Sequence, residues 1–137
     1  MTSHMVALWL ASAVVAGTPL IYAAVGEIVA ERSGVFNLGV EGMMLVGAVS
    51  GFIAAVRSGD LALAVVVAAA AAATVSFLLA VLTVTFGTDQ AVTGLTLTLF
   101  GAGLSSFLGK AYIGVPSPVT FRPLALPGLA EVPLLGT

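Results

Sequence analysis

The chain has 137 residues, of which 60% are hydrophobic and 7% charged, with a net charge of −2 and a mean hydropathy of +1.21. Soluble domains carry roughly a quarter charged residues, so this composition excludes an ordinary soluble fold, and without a basic surplus it also excludes nucleic acid as a partner. No cysteine is present, which removes disulfides, thiolate metal sites and thiol chemistry, and the single histidine, His4, has no metal-ligating cluster around it.

The pattern predicts an all-α fold, a polytopic membrane helical bundle. Residues 5–26, 61–88 and 90–109 contain no charged side chain, and each run is long enough to cross a hydrocarbon core of ~30 Å at ~1.5 Å per helical residue. A fourth segment of sufficient length carries Asn37 and Glu41 near its start. The expected organisation is a four-span region over 1–109, with spans at about 5–27, 35–56, 61–86 and 91–108, followed by a Pro-rich extramembrane or interfacial loop over 110–137. Almost every other residue is used in a connection, which leaves no room for a soluble catalytic domain. No Ser-His-Asp set and no phosphate-cradling Gly-Lys-Ser/Thr run is present, so no catalytic residue is assigned.

In chain order, the first span contains Gly17-Thr18-Pro19, where proline removes a backbone donor and a kink is expected. Glu27 and Glu31 lie one turn apart on one face, with Arg32 beside the second. They read as the wet end of this helix or as contacts to another subunit. Ser33-Gly34 breaks the helix, and Asn37-Leu-Gly39-Val-Glu41-Gly42 leads into the second span, with Gly39 and Gly42 shaping the backbone. An unpaired polar group at membrane depth costs up to several kcal/mol, so Asn37 and Glu41 are candidate pathway residues; the alternative is that Asn37 caps the second helix and Glu41 bonds a neighbouring helix. Gly47 and Gly51 have the small-xxx-small spacing of a packing face. Arg57-Ser-Gly-Asp60 reads as a turn. The alanine-rich third span carries no functional signal. In the fourth, Thr93 and Thr96 are surface neighbours that offer hydroxyls to a helix or to a polar solute.

The stretch Gly34-Val-Phe-Asn37-Leu-Gly39-Val-Glu41-Gly42, the glycine-rich span after it, Thr18-Pro19 upstream and Thr88-Asp-Gln-Ala-Val-Thr-Gly-Leu-Thr-Leu downstream resemble the permease subunits of bacterial ABC importers. The branch is the one that handles simple sugars, nucleosides and branched-chain amino acids, and the wording is most similar to its nucleoside or simple-sugar permeases. The resemblance implies a multi-pass protein of the bacterial cytoplasmic (inner) membrane. It implies pairing with a second permease subunit, cytoplasmic ATP-binding subunits and an extracytoplasmic solute-binding protein, amid membrane lipid. No cofactor is expected on this chain, ATP and Mg belonging to the partner subunits. Permeases of this family are about twice as long and carry their coupling loop in the second half, so the sequence is expected to be the N-terminal half of one. Arg57, Lys110 and Arg122 against Arg32 alone would place the N-terminus inside by the positive-inside rule. The resemblance implies the opposite orientation, which is adopted here.

The leading functional expectation is therefore part of a translocation pathway for a polar small molecule such as a nucleoside or simple sugar. Two alternatives stand beside it. One is an ion- or proton-coupled secondary transporter with the proton on Glu41 or Glu27; the other is a structural membrane subunit without a pathway of its own.

Overall fold

A computed structural model describes residues 3–121, and the reading of 122–137 as part of a Pro-rich loop lies outside the described residues. Four helices are long and apolar enough to cross a membrane, and no strand occurs among the described residues. They are α1 (Ser3–Arg32), α2 (Val40–Ser58), α3 (Leu61–Ala80) and α4 (Gln90–Gly109). A π-helical turn, Val81–Thr85, extends α3, and a short 3₁₀ turn, Lys110–Tyr112, follows α4. Residues 27–121 form one compact unit, and the described part of α1 up to Gly26 belongs to a second.

Helix α1 continues through Pro19. Proline leaves the carbonyl four residues earlier, that of Val15, without its helical donor. The neighbouring Thr18 hydroxyl donates instead to Val14 O at 2.8 Å.

Within the 27–121 unit the helix ends are set by local chemistry. Gly59 closes α2 in the left-handed region at φ +67°, donating its N–H to Ala55 O, a conformation that side chains with a Cβ rarely adopt. One residue later Asp60 opens α3, its carboxylate accepting from Ala62 N–H and Leu63 N–H at 2.8 and 3.3 Å. The turn 57–60 is thus a C-cap fused to an N-cap. Asp89 repeats the device for α4, accepting from Val92 N–H at 2.8 Å.

Helices α2 and α3 form an antiparallel hairpin with close backbone approach. A Cβ added at Gly51 would lie 2.9 Å from Ala68 Cβ and 3.2 Å from Ala64 O, and one at Gly47 would lie 3.2 Å from Ala68 O. The Gly47–Gly51 spacing is used here against the alanine row of α3, so the low-complexity segment supplies the flat surface that a glycine face needs. Met43, Val46, Val75, Leu79 and Leu97 make the buried cluster from α2, α3 and α4.

Helices α2 and α4 run parallel and approach still more closely. A Cβ at Gly42 would sit 2.5 Å from Leu97 O, and one at Gly101 would sit 2.5 Å from Gly42 O. No side chain fits between them at this crossing.

Candidate functional site

The segment that leads into α2 is the irregular part of the unit. Helix α2 begins at Val40 rather than at about residue 35, so residues 35–39 are not helical. Their backbone groups lack the i→i−4 partners that a helix would provide, and such groups need other partners wherever they are shielded from water. Here side chains supply them.

From α1, Glu27 Oε1 accepts from Asn37 N–H at 2.9 Å. From the first turn of α4, Gln90 uses both ends of its amide: Oε1 accepts from Phe36 N–H at 2.6 Å, and Nε2 donates to Gly34 O at 3.3 Å. Two turns further along α4, the Thr98 hydroxyl donates to Leu38 O at 2.8 Å. Asn37 serves its own segment, Oδ1 accepting from Gly39 N–H at 3.0 Å, the local turn that asparagine makes two residues ahead. Its amide nitrogen meets only a weak acceptor, Met43 Sδ at 3.7 Å. Locally, Gly34 N–H donates to Glu31 O at 2.9 Å and Val35 N–H to Ala30 O at 3.0 Å. The outer oxygen of Glu27, Oε2, is buried without a hydrogen-bond partner.

One face of α4 is the template for this segment. Gln90 ties residues 34 and 36. A Cβ at Gly94 would meet Leu38 N at 2.9 Å and Gly39 N at 3.0 Å, while Gly101 lies against Gly42. Positions 90, 94, 98 and 101 recur at the i, i+4, i+8, i+11 spacing of a single helical face. The face alternates a side chain that holds backbone with a glycine that lets backbone come close.

The residues singled out in the sequence fall in different places. Glu27, Asn37, Gly39 and Gly42 are brought together around the α2 entry. Glu41 is exposed on the first turn of α2, where the positive end of the helix dipole favours a carboxylate. Glu31 and Arg32 are exposed at the end of α1. Thr93 donates to Asp89 O at 2.6 Å and lies 2.9 Å from Thr88 Oγ1, and Thr96 donates to Val92 O at 2.8 Å. Both hydroxyls are therefore engaged by their own helix or its cap. Gln90, Gly94 and Thr98 carry roles that sequence reading did not assign. Their common helical face was the available signal, but nothing local marks which distant segment it meets.

Two larger cavities lie elsewhere in the unit and are apolar. One of ≈ 550 Å³ is lined by Val46, Val75, Phe77, Phe100 and their neighbours; another of ≈ 400 Å³ lies between the α2–α3 hairpin and residues 117–121. Groups of three or more His, Cys, Asp or Glu suited to a metal ion are absent among the described residues.

Residues 9–124 match the family described as branched-chain amino acid transport system, permease component. The chain belongs to this permease family. The permease is 39% identical over 126 residues to TsgC13 of Haloferax volcanii, provisionally named a glucose ABC transporter permease, covering 88% of this chain and 38% of that protein. It is 31% identical over 130 residues to the guanosine ABC transporter permease NupQ of Bacillus subtilis, covering 86% and 40% of the two chains. With the nucleoside ABC transporter permease NupC of Lactococcus lactis it shares 28% identity over 137 residues, 92% of this chain and 43% of that one. The permease thus spans about two fifths of the length of these relatives. No solved structure matches it. Family and apolar helices together make it a multi-pass protein of the cytoplasmic membrane.

Proposed function

We propose that the permease forms part of the translocation pathway of an ATP-driven importer for a polar small molecule, a nucleoside or a simple sugar. The observation that carries this reading is the non-helical entry to α2, residues 35–39, tied by side chains from α1 and α4. Irregular backbone among membrane-spanning helices is tolerated where it is enclosed by protein or lines a water-filled cavity. A hydroxyl-rich solute needs hydrogen-bonding groups along its path without tight binding there. Asn37 has spare donor capacity at this point, its amide nitrogen facing only a thioether. The relatives named for guanosine, nucleosides and glucose support the solute class.

In this reading ATP and Mg are bound and ATP hydrolysed on separate cytoplasmic subunits, and this chain is not an enzyme. A second permease subunit and an extracytoplasmic solute-binding protein complete the assembly. Glu41, Thr93 and Thr96 are secondary lining candidates.

A specific observation favours a structural role for Asn37 as well, since its Oδ1 holds Gly39 N–H. Two variants in the full transporter separate the roles. Asn37→Leu removes both the acceptor and the donor, whereas Asn37→Asp keeps an acceptor of the same shape for the turn and loses the amide donor. Uptake of radiolabelled guanosine and glucose is measured per assembled complex. The pathway role predicts reduced uptake in both variants; normal uptake in Asn37→Asp assigns Asn37 to the turn alone. Uptake that persists without ATP and collapses with a protonophore would instead favour proton coupling through Glu27 or Glu41.

A further inference from the structure

The geometry points to Gln90 as a positioning residue that sets the placement of the pathway segment 34–39 from α4. This rests on the permease reading above. Gln90 sits immediately after the Asp89 cap, at the first position of α4, where a side chain leans back past the start of its helix. From there its amide reaches a segment 54 to 56 residues earlier in the chain. It accepts from Phe36 N–H and donates to Gly34 O, the pattern by which one strand reads alternate residues of another. A carboxylate of the same length cannot donate, and an aliphatic chain can do neither.

The adjacent N–H, that of Asn37, is held from the other side by Glu27 on α1. Consecutive amides of the α2 entry are therefore gripped by different helices. Because Asn37 lies between these grips and its own turn, a change at Gln90 is transmitted to the Asn37 side chain, whose amide nitrogen faces only Met43 Sδ. Gly94 and Thr98 continue the same face of α4, so this helix determines where the segment sits, and Gln90 fixes its outer end.

The test uses the full-length permease assembled with its partner subunits in nanodiscs, comparing wild type, Gln90→Glu and Gln90→Leu. Hydrogen exchange of the peptide covering residues 34–39 is followed together with solute uptake per assembled complex. Each net hydrogen bond corresponds to about a two- to twelvefold change in local opening. Gln90→Leu is expected to accelerate exchange at Phe36 by roughly that factor, with α2 and α3 peptides unchanged. Gln90→Glu, which retains the acceptor for Phe36 N–H, should fall between the other two. Maximal uptake rate is expected to fall in the same order at unchanged KM, since solute affinity resides on the separate binding protein. Unaltered exchange of 34–39 in Gln90→Leu overturns the proposal, as does acceleration spread evenly over all helices, which would mark general unfolding. If wild-type assemblies take up no solute, the permease reading fails, while the exchange measurements still decide whether Gln90 holds the segment.

Discussion

At the scale of single residues, glycine positions distinguish contact from open space. Gly42 and Gly101 touch backbone so closely that an added Cβ would lie 2.5 Å from a carbonyl oxygen, whereas Gly103, on the same helix as Gly101, has nothing within 4 Å. Backbone cannot yield as a flexible side chain does, so the methyl group must separate α2 from α4. Overpacking of this kind costs about 1–3 kcal/mol. Gly42→Ala and Gly101→Ala are expected to lower thermal stability in detergent by that amount, and Gly103→Ala to raise it by about 0.5–1 kcal/mol. Equal effects at Gly101 and Gly103 would mean that intrinsic helix propensity, and not the crossing, sets the outcome.

Among the elements, the aspartate caps do for α3 and α4 what Gln90, Glu27 and Thr98 do for the entry to α2: a side chain satisfies backbone donors or acceptors that a helix leaves open. Asp60→Ala and Asp89→Ala each remove such an acceptor and should cost about 0.5–2 kcal/mol, read as a lower unfolding midpoint in a mild denaturing detergent. The helices themselves were legible from the sequence because uninterrupted apolar runs leave lipid-embedded backbone no alternative. The special character of Asn37, Gly39 and Gly42 was legible too, since amide and glycine at the start of a span demand a reason. The tie to α4 was not. Gln90 reads locally as the first polar residue after a cap, and its bonds to Gly34 and Phe36 cross more than fifty residues of chain. Thr98 resembles Thr93 and Thr96 in composition, yet it alone of the three donates to another segment, at Leu38 O. Hydroxyls on a membrane helix can always bond back to their own carbonyls, so residue type does not reveal which one reaches outward.

In the whole molecule, the ties to the α2 entry have a consequence in time. The partners on α4 lie 54 to 60 residues further along the chain, and at about 5–20 residues per second a ribosome takes roughly 3–12 s to make that length. Through this interval the second helix must enter the membrane with Gly34 O, Phe36 N–H and Leu38 O still open to water. Settling of its leading end therefore waits for the fourth helix to be born. The absence of cysteine provides a silent background on which to time it: Gly39→Cys, at a buried position that faces Gly94 O of α4, should react readily with a membrane-impermeant maleimide in a chain ending at Thr88, and become protected once α4 is included. Equal protection in the shorter chain would show that the entry closes by itself. Until the later helix arrives, three backbone groups at the leading end of α2 lack the partners that α4 gives them.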